Sequence, residues 1–146
     1  MKTNFIYDLL IIGGGISACV FASKYFQSNP RKKVALIEVG RRLGGRSSTR
    51  ISKRFKGWEL NHGAPNLNIC SRKNQQIQSY IDELLENKFI KIDDSDLVFL
   101  DKESNLETIK NSEFFSGDNY LSLFSMSQLS QNIIESDTLK EKIDSY

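Results

Sequence analysis

Three consecutive glycines constrain this chain more than any other feature. Gly13-Gly14-Gly15-Ile16-Ser17-Ala18 joins a nearly continuous apolar run, Phe5 to Ile12, to a segment whose apolar and small residues Ile16, Cys19, Val20, Ala22, Tyr25 and Phe26 recur at helical intervals. The apolar run predicts a buried strand of a parallel sheet, covered on both faces, with Asp8 near its start. The periodic segment predicts a helix of about four turns that stops at Asn29-Pro30, where proline bars continuation. The junction has the form G-x-G-x-x-A. Gly13 permits the tight turn, Gly15 lets a pyrophosphate approach the backbone, and Ala18 is small enough for the helix to press on the strand.

The segment that follows completes the unit. Val34-Ala35-Leu36-Ile37 reads as a second buried strand, introduced by Arg31-Lys32-Lys33 and closed by Glu38. Strand, glycine turn, helix and strand make a βαβ unit, and its right-handed crossover brings Glu38 beside the first turn. Glu38 lies 20 residues after Ala18, the interval expected of an acid that holds ribose hydroxyls. The fold class is therefore α/β, a Rossmann-like dinucleotide-binding βαβ unit with a parallel sheet. Gly13, Gly15 and Ala18 are the candidate diphosphate contacts and Glu38 the ribose acid, with Ile16, Ser17 and Val39 as further cofactor-binding candidates.

Charge supports an anionic ligand for the first half without naming it. Residues 1–60 carry 12 Lys and Arg against 3 acids, and residues 61–146 carry 8 against 15, so a net charge of +2 hides opposite halves. A basic half suits a dinucleotide or a nucleic acid equally. Nucleic-acid binding through stacking needs aromatics among the bases, and only Phe55 and Trp58 qualify, so no nucleic-acid partner is expected. Arg41, Arg50, Lys53, Arg54 and Lys56 belong to no motif and are expected in solvent.

Cys19 and Cys70 belong to no metal-spaced cluster or C-x-x-C pair and read as free thiols of a reducing compartment. The N-terminal apolar stretch is too short for a signal peptide or membrane span. A cytoplasmic protein without membrane partner or metal is expected.

Glu38-Val39-Gly40-Arg41-Arg42-Leu43-Gly44-Gly45-Arg46 carries the most specific signal. It resembles the R-x-G-G-R segment that follows the ribose-binding acid in the flavin-containing amine oxidase superfamily, which includes renalase-like oxidoreductases. The resemblance implies FAD as cofactor, with NAD(P)H a candidate electron donor. It also implies that Arg42 and Arg46 meet the diphosphate side while Gly44 and Gly45 let the backbone pass close to the flavin. From the residues alone, glycines tolerate close approach and guanidinium groups suit phosphate oxygens.

Trp58 to Ala64 resembles the family's strand and acid-x-Gly-Ala turn below the flavin, with Asn61 where an acid is common. His62, Gly63 and Ala64 are thereby placed near the cofactor. His62 is the only histidine, but no catalytic residue is assigned.

Beyond residue 66 the signals are structural. Gln76 to Phe89 reads as an amphipathic helix with Ile77, Tyr80, Ile81, Leu84, Leu85 and Phe89 on one face. Leu97 to Leu100 reads as a strand, followed by a turn over Asp101 to Asn105. A small helix is expected over Ser125 to Ile134, after the loop Phe115-Ser116-Gly117, and a charged, helix-like tail without a further strand is expected from Glu135.

The expected division is a dinucleotide-binding core over residues 1–72 and the start of a second α+β region over 73–146. Family members are longer, so the resemblance implies an incomplete N-terminal portion or half of a split flavoprotein, completed by a second chain. The rival functions are a non-catalytic nucleotide-binding fragment and an NAD-dependent dehydrogenase, the latter leaving Arg42 to Arg46 unexplained.

Overall fold

A computed structural model of the chain describes residues 6–70, 74–135 and 143–145. In chain order the elements are β1 (Leu9–Ile12), α1 (Ile16–Ser28), β2 (Val34–Ile37), β3 (Thr49–Ile51), β4 (Glu59–Asn61), β5 (Leu67–Ile69), α2 (Gln75–Glu86), β6 (Ile90–Ile92), β7 (Asp96–Leu100), β8 (Leu106–Lys110), α3 (Asn111–Phe114), β9 (Asp118–Ser122), α4 (Met126–Glu135) and β10 (Ile143–Ser145). A 3-10 turn, Gly45–Ser47, precedes β3.

The expected βαβ unit is present. β1 and β2 pair in parallel, Leu9 opposite Val34 through Ile12 opposite Ile37, and α1 spans 13 residues between them. The Asn29 side chain donates to the Tyr25 carbonyl at 2.9 Å and its backbone N–H to that of Phe26 at 3.0 Å, so polar groups at the helix end are satisfied before Pro30. Asp8 stands just ahead of β1, accepting from Lys33 N–H at 2.9 Å and Lys32 Nζ at 2.7 Å. These contacts hold its carboxyl below the ordinary carboxylate value, the Lys32 hydrogen bond contributing most.

Two expectations about this sheet are corrected. The tail was expected to lack a strand, yet Ile143–Ser145 pairs in parallel with β2, giving the order β1-β2-β10. Helical spacing of charges does not bar three residues from joining an open edge, where backbone groups seek partners; residues 136–142 of that tail lie outside the described residues. Coverage of β1 on both faces is not seen either. Ile11 is buried, while Leu10 and Ile12 are 53% and 83% exposed, because α1 lies on one side only and the described residues place no second layer opposite it.

Contacts divide the chain into Met1–Ala64 with Ser125–Tyr146 as one unit and Pro65–Phe124 as the other. The boundary expected between residues 72 and 73 falls outside the described residues, and the division draws α4 back to the first unit. There α4 packs against α1 and the Gly45–Ser47 turn, burying Met126, Leu129 and Ile133 with Cys19, Ala22 and Phe26 of the first helix. The thiol of Cys19 is pushed up to about 12, chiefly by burial, so it acts as a small core group rather than a nucleophile.

In the second unit β5, β9 and β6 form an antiparallel sheet in that order, and β7 with β8 forms a hairpin. Asn74 caps α2 through its side-chain oxygen, which accepts from Gln76 N–H at 3.0 Å and Ile77 N–H at 3.2 Å. The helix ends three residues before the expected Phe89. Lys88 takes φ 56°, its N–H donates to Leu85 O, and Phe89 N–H donates to Leu84 O, the bonding of a Schellman close. Ile81 and Leu84 are buried with Ile90 and Tyr120.

Candidate functional site

Three adjacent glycines meet three different demands. Gly13 has φ +93°, a conformation L side chains rarely adopt. A Cβ on Gly14 would collide with the Leu43 side chain and crowd Glu38, so the protein itself occupies that space. Gly15 differs: its φ of −68° and ψ of 163° suit any residue, and nothing lies within 4 Å of where its Cβ would be. No protein atom demands a glycine at this position, yet the face above it is open. It is also the N-cap of α1, a helix with no side-chain cap from that residue and no acid in its first turn. A helix N-terminus left in this state offers N–H groups and positive potential to an anion.

The other motif segments gather on this turn through backbone bonds. Glu38 Oε2 accepts from Gly14 N–H and Oε1 from Gly40 N–H, both at 2.6 Å. These N–H groups, Gly40 first and Gly14 second, hold the Glu38 carboxyl below its ordinary 4.5, so it is ionised at neutral pH. Gly44 N–H donates to Gly14 O at 2.8 Å, and Gly44 forms an isolated parallel bridge with Gly15. A Cβ on Gly45 would come within 3.2 Å of Gly15 Cα. Ala64 N–H donates to Arg46 O at 2.9 Å, and Gly63 lies so close to that carbonyl that a Cβ would overlap it. Four stretches far apart in sequence, 13–18, 38–40, 44–46 and 63–64, are thus joined at one place.

Not every candidate joins it. Val39 projects fully into solvent. Arg42 and Arg46 are exposed, and among the described residues neither guanidinium has an ion-pair partner, so both remain available to an anion. His62 Nε2 lies 3.3 Å from Ser48 Oγ on the surface.

Sequence reasoning missed the polar clamp beneath the site. Thr49 N–H donates to Ser127 Oγ at 2.8 Å, and Ser127 N–H donates to Thr49 Oγ1 at 3.1 Å. Thr49 Oγ1 in turn donates to Asn61 Oδ1 at 2.7 Å, and Met126 N–H donates to the same oxygen at 3.2 Å. Asn61, noted for standing where an acid is common, therefore caps α4. The available signal was Ser127 and Ser130 on the otherwise apolar buried face of α4. Replacing Thr49 by valine preserves shape but removes the acceptor for a buried N–H; a loss of about 1–3 kcal/mol in urea unfolding is expected.

Among the described residues no group of histidine, cysteine or acidic side chains is arranged to hold a metal, and no helix is long and apolar enough to cross a membrane. Both cysteines are free thiols. A cavity of about 510 Å³ in the second unit, lined by residues including Asp93, Asp94, Asp96, Lys110 and Phe115, contains none of the sequence-derived site residues.

The profile of the NAD(P)-binding Rossmann-like domain matches residues 11–84, from β1 into α2. The chain belongs to that family. A curated relative, (S)-6-hydroxynicotine oxidase of Paenarthrobacter nicotinovorans, is 40% identical over 58 residues, covering 40% of this chain and 13% of its own length. Among solved structures, a provisionally assigned protoporphyrinogen oxidase of Exiguobacterium sp. 255-15 is 26% identical, with a TM-score of 0.44, over 68% of this chain and 21% of its own. A putrescine oxidase bound to putrescine is 21% identical, with a TM-score of 0.41, over 70% and 21%. The chain thus spans about a fifth or less of the length of these relatives. The curated relative is an oxidase, in keeping with the amine-oxidase resemblance read from Arg42 to Arg46.

The ionised Glu38 permits a pH prediction. Its carboxyl value is lower folded than unfolded, so its contribution is full above about 4.5 and is lost as pH falls through the folded value. Melting temperatures of the wild type should fall on acidification through that window, and Glu38→Gln should show a shallower decline than the wild type, with the neighbouring acids unchanged in both.

Proposed function

We propose that the first unit binds FAD as the nucleotide-binding part of an amine-oxidase-type flavoprotein. The observation that carries this reading is Gly15, a glycine with ordinary dihedrals and open space over it, at an uncapped helix N-terminus. Diphosphate oxygens over Gly15 would meet the N–H groups of Ile16, Ser17 and Ala18, while Glu38 accepts from the adenosine ribose hydroxyls. Arg42 and Arg46 would neutralise the diphosphate, and the joined turns at Gly44-Gly45 and Gly63-Ala64, with His62 beside them, would line the way toward the flavin. The bound flavin supplies the hydride acceptor for oxidation of a carbon next to nitrogen or of a reduced nicotinamide. The chain's residues hold and orient it, and Glu38 stays ionised to do so.

A charged group at an exposed helix N-terminus gains about 0.3–1 kcal/mol, so most of the affinity must come from the ribose acid and the arginines. A second reading, an NAD-dependent dehydrogenase, is favoured by the NAD(P)-binding description of the family; it leaves Arg42 to Arg46 without a role. Titrating the purified chain with FAD and with NAD in parallel by calorimetry separates the two. Saturable FAD binding that NAD cannot displace is expected; preferential binding of NAD would replace this reading with the second, and binding of neither would remove both.

A further inference from the structure

The β3–β4 hairpin, which leads into the His62-Gly63-Ala64 turn assigned to the cofactor, also carries an exposed basic and aromatic surface of its own. From Arg50 to Trp58 the chain holds Arg50, Lys53, Arg54 and Lys56 and no acid. Phe55 and Trp58 are 51% and 63% exposed with ring centroids 5.5 Å apart, and Leu60 is 58% exposed. Ser52 N–H donates to Trp58 O, extending the pairing of Arg50 with Leu60 by one step. Strand alternation then puts Trp58 and Leu60 on one side with Arg50, while Ile51 and Glu59 share the other. Phe55, Trp58 and Leu60 are thus exposed apolar groups on a hairpin with four exposed cations, Arg50 on the side of Trp58 and Leu60 and Arg54 over the Phe55 ring.

Against the expectation of no membrane partner, we propose that this hairpin docks on an anionic phospholipid surface, with Phe55, Trp58 and Leu60 at headgroup depth and the cations among the phosphates. Tryptophan suits that interface because its ring is apolar and its N–H polar. Each Lys or Arg near an anionic surface strengthens attachment roughly fivefold, and apolar contact and charge together give an attachment that neither supplies alone. Single-stranded nucleic acid shares the charge requirement but fits the hairpin less well. The two rings tilt 39° to each other too closely to admit a base between them, Arg54 already sits 5.3 Å over Phe55, and stacking has no use for Leu60.

The chain contains one tryptophan, so Trp58 emission reports directly on the hairpin. The full chain is mixed with vesicles of phosphatidylcholine, with or without a third phosphatidylserine, and followed by emission and co-sedimentation. A blue shift and sedimentation with the anionic vesicles alone are expected, both largely abolished when salt rises from about 0.1 M to about 1 M and the screening length falls from about 10 Å to about 3 Å. Lys53→Ala should weaken binding roughly fivefold, and the triple change Lys53→Ala, Arg54→Ala, Lys56→Ala roughly a hundredfold, with circular dichroism checking that each folds. Unchanged Trp58 emission on anionic vesicles, equal binding by a folded Lys53→Ala variant, or a response to oligothymidylate but not to vesicles would each overturn the proposal.

Discussion

Gly15→Asp should weaken FAD binding at least a hundredfold while leaving the chain as stable as before, or more so by about 0.3 kcal/mol. The two effects share one cause. The N-cap of α1 has no side-chain acceptor, and Asp outranks Gly as an N-cap because its oxygen accepts from the first-turn N–H groups. The backbone at this position accepts a side chain without strain, and the space is empty. The same carboxylate would occupy the place proposed for the diphosphate and repel it, and a hundredfold loss corresponds to about 2.7 kcal/mol. Calorimetric titration and urea unfolding of the one variant measure both. A parallel fall in stability and binding would mean that Gly15 serves the fold, and the argument for a ligand at this turn would fail.

Gly63→Ala should do the opposite, damaging the fold first and binding in consequence. An added Cβ would overlap the Arg46 carbonyl, and backbone on both sides leaves no flexible side chain to yield. Overpacking of this kind costs about 1–3 kcal/mol, and separating the segments also breaks the bond from Ala64 N–H to Arg46 O. A lower urea midpoint is expected, together with a weaker FAD complex as Arg46 moves. Ala64→Gly keeps the N–H and adds no atoms, so it should shift the midpoint far less. Equal midpoints for Gly63→Ala and the wild type would show that the turn at residue 63 is free to move.

How much of this was legible in the residues depended on range. The βαβ unit was, because Val34 to Ile37, the Ile16 to Phe26 spacing and Asn29-Pro30 each act within a few residues. The interval from Ala18 to Glu38 also placed the acid beside the turn, where its carboxylate bonds Gly14 N–H. Leu43 stands at the unspecified position of R-x-G-G-R, yet it fills the space that makes a Cβ on Gly14 impossible. The clamp of Thr49, Asn61 and Ser127 spans 78 residues from Thr49 to Ser127, and no local pattern encodes such a pairing. The edge strand Ile143–Ser145 was hidden for a related reason, since three residues show no period and only β2 supplies their partners.

The return of α4 to α1 across the intervening second unit has a kinetic side. The helix that buries Met126 and Leu129 must find its site over about 60 residues of other chain, and each doubling of such a loop adds about 0.6 kcal/mol of closure entropy. Contacts so distant in sequence slow folding. During synthesis the side of α1 that meets α4 has no partner until α4 itself has been made. Replacing residues 65–124 with a short flexible link should therefore speed closure of the first unit, and would expose its intrinsic folding rate to stopped-flow measurement.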